Sequence, residues 1–237
     1  MLNKLKKAAL VGSGLLVLAG CSSESADDAS VNSEAVGAET LVVGLDDTFA
    51  PMGFRDENNE IVGFDVDLAK AVGERIGAEI VFQPIDWAMK ETELDSGNID
   101  MIWNGYAITP ERAEKVLLSE PYIVDAQSII VLKDSAIETK ADLEGKLVST
   151  QQSSSSVDKI MEDESGIFGK LGGDLVLYPS NNNAFSDLES GRVDAIVVGE
   201  VYGRYYMKQS GKDIYRVLED NFGEDEMAVA FKKNNTE

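Results

Sequence analysis

The chain has 237 residues, of which 43% are hydrophobic, so it can bury the core of one large domain or of two small ones. Its 43 acidic residues outnumber its 21 basic residues and give a formal charge of −22, which excludes a surface that follows nucleic-acid phosphates. It contains no histidine and one cysteine, which excludes Ser-His-Asp and Cys-His catalysis and an internal disulfide. We expect no metal site and no cofactor.

The first 20 residues have the pattern of a secretory signal. A basic start precedes an apolar run over residues 8–18, which is short for a membrane span, and small residues follow it. The sequence Leu-Ala-Gly-Cys at residues 18–21 resembles the bacterial lipobox, in which Cys21 receives a diacylglycerol and becomes the mature N-terminus. The alternative is an ordinary secretory signal followed by a thiol at Cys21. Residues 21–39 are rich in Ser, Ala, Asp and Glu and predict a disordered tether.

From residue 40 onward, short apolar strands alternate with amphipathic helices. Strands are predicted at residues 41–45, 79–83, 99–103, 128–132, 146–150, 175–178, 193–198, 214–218 and 227–231. Helices are predicted at residues 63–76, 87–96, 157–161, 183–190 and 202–209. This alternation predicts right-handed crossovers and a mostly parallel sheet, arranged as two β-α-β lobes.

The stretch at residues 99–112 is the strongest candidate for a ligand site. It begins as a buried strand, is predicted to break at Asn104, and ends at Thr109, which has the pattern of a helix N-cap followed by proline. Because open α/β sheets bind ligands at the carboxyl ends of their strands, backbone groups at residues 105–107 and the guanidinium of Arg112 are expected to face one crevice. Arg112 either grips a carboxylate bidentately or pairs with an acidic neighbour on a solvated helix face.

An ordered set of motifs resembles the bacterial extracellular solute-binding proteins of family 3, which deliver polar amino acids to ABC importers. The motifs lie at residues 46–51, 63–68, 87, 100–112, 119–122, 142–146 and 191–195. The resemblance implies a two-lobed α/β fold of the periplasmic-binding-protein type, in which each lobe is a mostly parallel sheet flanked by helices. It places lobe 1 at residues 40–126 and 224–237 and lobe 2 at residues 127–223, with two hinge crossovers between them.

The resemblance also implies which residues bind the ligand. They supply aromatic walls, backbone groups, one cation and several oxygen-bearing side chains. The set is Asp46, Phe49, Trp87, Gly105, Tyr106, Ala107, Arg112, Ser154, Ser155 and Glu200. Arg112 corresponds to a carboxylate-binding residue of one lobe, and Ser154 and Ser155 correspond to such residues of the other. A carboxylate held between them would therefore favour the closed form.

Structural roles stay open for several of these residues. Phe49 and Trp87 are either walls of the ligand slot or ordinary core aromatics. Asp46 either reads the ligand's side chain or stabilises a turn, and Gln151 either adds an amide contact or lies in a solvated loop. The serine run at residues 153–156 is either part of the site or a capped helix start.

The chain departs from the family pattern in two places. The aspartate that usually follows the strand at residues 193–198 and pairs with the ligand's ammonium is Gly199 here. Either Glu200 replaces it, or backbone carbonyls such as that of Gly105 hold the ammonium. The chain also stops at residue 237 where the family continues, so we expect the C-terminal part of lobe 1 to be incomplete.

The sequence therefore predicts a lipid-anchored receptor on the extracellular or periplasmic side of the cell membrane. It would bind a free polar L-amino acid as a monomer and deliver it to the permease of an ABC importer. One alternative is a periplasmic dehydratase on the same fold, with Glu200 or Asp46 as its proton donor, although the sequence shows no carboxylate pair at a defined spacing. Another is a ligand-sensing module of a signalling protein.

Overall fold

A computed structural model describes residues 39–234 of the chain. The predicted signal sequence, the lipobox cysteine Cys21, nearly all of the predicted tether and the last three residues lie outside the described residues. Within the described part, no helix is long and apolar enough to cross a membrane.

The structure contains a large mixed sheet and a small antiparallel one. The strands, in chain order, are β1 (Thr40–Leu45), β2 (Thr48–Phe49), β3 (Gly53–Arg55), β4 (Ile61–Val62), β5 (Glu79–Pro84), β6 (Met101–Ala107), β7 (Val116–Leu118), β8 (Ile123–Leu132), β9 (Val148–Gln151), β10 (Val176–Tyr178), β11 (Ala195–Gly199) and β12 (Tyr215–Lys232). Strands β2, β3 and β4 form the small sheet, which lies between the first predicted strand and the first predicted helix.

Six α-helices flank the large sheet in the described part of the chain. They are α1 (Phe64–Ile76), α2 (Lys90–Ser96), α3 (Pro110–Lys115), α4 (Ser155–Met161), α5 (Asn181–Glu189) and α6 (Glu200–Ser210). Single 3-10 turns occur at Trp87–Met89, Lys140–Leu143 and Ile167–Lys170. Helices α4, α5 and α6 begin two residues before their predicted starts. In α4 and α5 the two added residues are both polar, Ser-Ser and Asn-Asn, and lie outside the apolar period.

Two parallel sets of strands are joined by a pair of long antiparallel strands. The order across the large sheet is β10-β9-β11-β8-β12-β6-β1-β5, and β7 pairs with β12. Strand β1 runs parallel to β5 and β6, and β9 runs parallel to β10 and β11, whereas β8 and β12 are antiparallel to each other. The predicted α/β class is confirmed. Strands β8 and β12 carry hydrogen bonding continuously from one parallel set to the other, so the two sets lie in one mixed sheet.

Two strand predictions require correction. Strand β6 does not break at Asn104 but continues to Ala107. The strands predicted at residues 214–218 and 227–231 form a single strand, β12, whose pairing with β8 shifts register between Val217 and Asn221 and again before Glu224. The crossovers implied by the resemblance fall within β8 and this irregular part of β12. The lobe limits themselves stay a prediction.

Alternate residues of the central strands pack on opposite faces of the sheet. Ile129 and Val131 of β8 lie in one buried cluster with Val197, whereas Ile130 lies in the other with Ile196. This follows from the two-residue period of a strand, and each fully buried side chain of this size contributes about 1.5–3 kcal/mol. A sheet that is apolar on both faces and covered by helices leaves the strand ends as the place where polar groups can gather.

Candidate ligand-binding site

One cavity lies at the carboxyl ends of β1, β6, β9 and β11. It has about 40 Å³ of space for the centres of water molecules, which is room for a few of them. Its lining contains aromatic, amide, hydroxyl and charged side chains from both parallel strand sets. The lining residues are Asp46, Phe49, Trp87, Asn104, Gly105, Arg112, Gln127, Gln151, Ser154, Ser155, Ser156, Asn181, Val198, Gly199 and Met227. The position agrees with the rule that open α/β sheets bind ligands beyond the carboxyl ends of their strands.

The cavity brings together most of the residues predicted to bind the ligand. Those that line it are Asp46, Phe49, Trp87, Gly105, Arg112, Ser154 and Ser155. Tyr106, Ala107 and Glu200 do not line it. Lining residues that the sequence analysis did not assign to the site are Gln127, Asn181, Val198 and Met227. Asn104 and Ser156 also line it and lie in stretches that the sequence analysis did consider, residues 99–112 and 153–156.

Arg112 presents a buried positive charge to the cavity. Its Nη1 donates to the carbonyl oxygen of Ala107 over 2.9 Å, and its Nη2 donates to that of Ser153 over 3.0 Å. The helix that carries it begins at Thr109, whose hydroxyl oxygen accepts from the Arg112 backbone N–H. The alternative of a pair with Glu111 or Glu114 on a solvated helix face is wrong, because Arg112 is buried and forms no ion pair among residues 39–234, and Glu111 pairs with Lys115. Among residues 39–234, Arg112 has no carboxylate partner within salt-bridge distance, which suits the site to an anionic ligand group.

Tyr106 and Ala107 contact the Arg112 guanidinium and do not line the cavity. The Tyr106 ring is fully buried, its hydroxyl donates to Glu91 over 3.0 Å, and the Arg112 guanidinium lies 4.5 Å from the ring centroid. Such cation–π contacts favour a charged guanidinium. Because β6 continues past Asn104, the Tyr106 side chain packs into the core instead of turning toward the ligand. These two residues therefore position the arginine.

Glu200 faces away from the cavity. It opens α6, accepts from the Ser128 hydroxyl over 3.0 Å, and pairs with Arg204 one turn along the helix. The hydrogen bond from Arg204 lowers the pKa of the Glu200 carboxyl. The structure thus places Gly199, and not Glu200, at this corner of the cavity wall.

Asp46 and Gln151 form a polar bridge between the two parallel strand sets. One Asp46 oxygen accepts from the backbone N–H of Thr48 over 2.9 Å and from its hydroxyl over 2.6 Å, as a turn-stabilising aspartate does. The other accepts from Nε2 of Gln151 over 2.7 Å. Gln151 is buried and its own amide oxygen accepts from Asn181 over 3.1 Å, so the alternative of a solvated loop glutamine is wrong.

The serine run at residues 153–156 has one residue with a positive φ and two hydroxyls that already donate hydrogen bonds within the protein. Ser153 has a φ of 55°, in the left-handed region that favours glycine. The Ser154 hydroxyl donates to the carbonyl oxygen of Gln151 over 2.7 Å, and the Ser155 hydroxyl donates to Asp225 over 2.6 Å. While these bonds persist, both hydroxyl oxygens offer lone pairs to the cavity but no proton.

The apolar wall is built around Phe49. Its ring stacks on that of Tyr202, with centroids 5.2 Å apart and planes 8° apart. Gly105, with φ 57°, lies against the ring edge, and a Cβ there would be 2.9 Å from Cε1 of Phe49. Trp87 lines the cavity and also belongs to the core cluster around Tyr106. Phe49 and Trp87 therefore fill both predicted roles, since each lines the cavity and also packs against a core cluster.

Asp65 supports Gly105 from behind. This residue of α1 is 1% exposed, and its Oδ2 accepts from the Gly105 backbone N–H over 2.7 Å. Its Oδ1 has no hydrogen-bond partner among residues 39–234. Burial raises the pKa of the Asp65 carboxyl to about 7.

Comparison with known proteins shows the family to which the chain belongs. Residues 41–237 match the family description "Bacterial extracellular solute-binding proteins, family 3". The chain is a member of this family. It is 29% identical over 237 residues to the L-cystine-binding protein TcyJ of Escherichia coli strain K12, covering 99% of this chain and 86% of TcyJ.

Two solved structures that are similar to this family-3 protein show the fold. One is an ABC uptake transporter substrate-binding protein from Streptococcus pneumoniae with bound histidine, with 36% identity, a TM-score of 0.80 and coverage of 83% of this chain and 81% of that one. The other is the ancestral amino acid-binding protein AncCDT-1, a precursor of cyclohexadienyl dehydratase, with 32% identity, a TM-score of 0.73 and coverage of 83% of each chain. The predicted periplasmic-binding-protein-like fold is confirmed.

Proposed function

We propose that this chain is the lipid-anchored substrate-binding protein of an ABC importer, which captures a free polar L-amino acid and presents it to the permease. It acts as a monomer on the outer side of the cell membrane. The observation that carries the proposal is the buried guanidinium of Arg112, which lines the cavity and has no carboxylate partner among residues 39–234. A ligand carboxylate is the group that such a cation recognises best.

The remaining lining suits the rest of an amino acid. Phe49 and Trp87 supply apolar surface for the aliphatic part of a side chain. Gln127 and Asn181 each donate one amide N–H within the protein and keep a second one, whereas both N–H groups of Gln151 are donated to Asp46 and to the carbonyl oxygen of Pro179. The free amide groups favour a polar side chain over an aliphatic one. Relatives named for binding cystine and histidine support this class of ligand.

The contacts across the cavity support closure of two lobes around the ligand. Arg112 and Asp46 belong to proposed lobe 1, whereas their partners Ser153 and Gln151 belong to proposed lobe 2. A ligand that touches both sets gains contacts only in the closed form, so its binding shifts the population toward closure. A permease that recognises the closed form would then receive loaded protein only.

The enzymatic alternative receives less support. It needs a carboxylic acid that faces the cavity and can donate a proton. Glu200 lies outside the cavity and is paired with Arg204, and both oxygens of Asp46 already accept hydrogen bonds. The likeness to AncCDT-1, itself an amino acid-binding protein, is consistent with binding as the function of this chain.

Ligand capture is tested by titration calorimetry of the purified chain with L-cystine, L-histidine, L-arginine, L-glutamine and L-leucine. We expect one or a few of the polar amino acids to bind and leucine not to bind. The same ligands should raise the midpoint of thermal unfolding, since they bind only the folded form. Failure of all polar amino acids to bind a folded sample would overturn the proposal.

The lipid anchor rests on Cys21 and is tested separately. Cells that express the chain are grown with radiolabelled palmitate, and label is expected on the wild type and not on the Cys21→Ser variant. Wild-type protein should sediment with membranes, and the variant should be released. Labelling of both proteins, or of neither, would remove the anchor from the proposal and leave ligand capture untouched.

A further inference from the structure

The carboxylate of Asp125 lies directly behind Gly199, the glycine at which β11 ends and which lines the cavity. A Cβ built on Gly199 would lie 2.4 Å from Oδ2 of Asp125, closer than any side chain can approach. The backbone does not require glycine here, because φ −51° and ψ 131° are open to any residue. The space that Gly199 leaves is therefore taken by the Asp125 carboxylate, which would have to move for any larger residue at this position.

Asp125 is fixed in place by the N-terminus of α6. It lies in β8, is 5% exposed, and its Oδ1 accepts from the backbone N–H of Val201 over 3.1 Å. Gly199 is the N-cap residue of α6 and has no side chain to cap it, so the carboxylate from β8 takes that role. This leaves Oδ2 next to Gly199, whose surface is part of the cavity wall.

The other acids at the cavity already have donors. Asp46 accepts from Thr48 and from Gln151. Asp225, opposite Asp125 in the β8–β12 pairing, accepts from Ser155 and from Gln127 and pairs with Lys159.

Asp125 stands apart from these two acids. Among residues 39–234 no side chain donates to the Asp125 carboxylate and no cation pairs with it. Burial raises the pKa of the Asp125 carboxyl to about 6, with Glu200 and Asp225 adding to the effect, so the group is mostly ionised at neutral pH. A buried carboxylate in this condition gains most from a cation supplied by the ligand.

We propose that Asp125 is the anionic partner of the ligand's amino group, which reaches Oδ2 through the gap that Gly199 leaves. Asp125 and Gly199 then determine ligand specificity together. The acid binds the ammonium, and the absence of a side chain at Gly199 lets the ammonium reach the acid. Together with Arg112, this assigns one oppositely charged group to each end of a zwitterion. The inference rests on the proposed amino-acid ligand and adds the residue that selects for its ammonium.

A purely structural role as the cap of α6 is the competing explanation. The Asp125→Asn variant separates the two, because an amide oxygen still accepts from the Val201 N–H while the negative charge is lost. A second variant exchanges the two residues, Asp125→Gly together with Gly199→Asp. Its carboxylate is then carried by residue 199 and should occupy the space that the Asp125 carboxylate fills in the wild type. The control is Glu224→Gln, which removes one exposed acid from the same crossover.

The experiment is calorimetric titration of the full chain. L-histidine, L-arginine, L-glutamine and L-cystine are titrated into the wild type, and the tightest of them is compared with the same molecule lacking its α-amino groups. We expect the wild type to prefer the amino acid at least about tenfold, and Asp125→Asn to lose about tenfold to a hundredfold in affinity for it. We expect Asp125→Asn to bind the analogue as the wild type does, and Glu224→Gln to match the wild type with both.

The exchange variant covers the case in which Asp125→Asn does not fold. Restored preference for the amino acid in the exchange variant supports the proposal, and a folded exchange variant without that preference overturns it. An Asp125→Asn protein that binds the amino acid as tightly as the wild type overturns the inference but leaves the proposed function intact. A folded wild type that binds none of the four amino acids overturns both.

Discussion

Nη2 of Arg112 donates a hydrogen bond to the carbonyl oxygen of Ser153 over 3.0 Å, although the two residues lie 41 positions apart in the chain. Nζ of Lys90 donates to the same oxygen over 3.1 Å. Burial, with a contribution from the charge of Arg112, lowers the pKa of the Lys90 ammonium to about 8. Two buried cations thus meet at one neutral carbonyl beside the cavity, and an anionic ligand group would stabilise both.

We expect Arg112→Ala to lower affinity for the amino-acid ligand by about a hundredfold, the effect of losing a charge-assisted hydrogen-bonded pair. Arg112→Lys should recover only part of the loss, since an ammonium cannot form a bidentate pair. Titration calorimetry measures both. The matched control is Lys115→Ala on the same helix, whose exposed pair with Glu111 lies away from the cavity. Equal affinity of Arg112→Ala and wild type would contradict the site.

Gly105→Ala should destabilise the fold and weaken binding together. A methyl group there meets the Phe49 ring at 2.9 Å, and the φ of 57° adds backbone strain. Gly97→Ala is the control, because Gly97 also has a positive φ but no atom within 4 Å of the added Cβ. Urea unfolding should show a loss of about 1–2 kcal/mol for Gly97→Ala and about 1–3 kcal/mol more for Gly105→Ala. Equal losses would show that the Phe49 contact adds nothing.

The sequence predicted the strands and helices well because their signals are local. Periodicity located α1, and Thr109 and Pro110 marked the start of α3 as observed. The predicted break at Asn104 was wrong because the strand continues to Ala107, although Gly105 has a φ of 57° and the pairing with β12 shifts register there. Glycine and asparagine usually mark turns, but here pairing with β12 on both sides of this irregularity continues the strand. Tertiary hydrogen bonding overrode the local preference.

The candidate site was predictable only where a residue belongs to a motif. Gln127 and Met227 lie in the long strands β8 and β12, and nothing near them in the sequence indicates that these strands run past a cavity. The place of Asp125 behind Gly199 depends on pairing between distant segments. The sequence did indicate that this corner of the site differs from the family pattern, since Gly199 stands where an aspartate usually follows the strand.

Asp46 and Gln151 should be energetically coupled across the cavity. A double-mutant cycle with Asp46→Ala, Gln151→Ala and the double variant, followed by urea unfolding without ligand, measures the coupling. We expect about 0.5–3 kcal/mol, because removing either partner leaves the other buried and without this bond. A pair of exposed residues on one helix, Arg204 and Glu200, should give about 0.3–0.5 kcal/mol. Additive losses for Asp46 and Gln151 would mean that the bridge contributes nothing to the free protein.

Asp65 should make the protein less stable as the pH rises from about 4 to about 7. Its pKa is raised to about 7 in the folded state from an ordinary value of 3.8, so in this window the folded state holds a proton that the unfolded state has lost. The free energy of unfolding therefore falls with pH, by up to about 4 kcal/mol at about 1.36 kcal/mol for each pKa unit. Asp125, whose pKa is raised to about 6, acts in the same direction over a narrower range.

Asp65→Asn isolates the contribution of this acid. An uncharged amide oxygen still accepts from the Gly105 N–H, so urea unfolding at pH 5 and pH 8 should show a smaller loss of stability than in the wild type. Asp67→Asn, an exposed change in the same helix, should keep the wild-type difference. If Asp65→Asn and the wild type lose the same stability between these pH values, then Asp65 is not protonated in the folded protein at pH 5. The support it gives to Gly105 would then be that of an ionised carboxylate throughout.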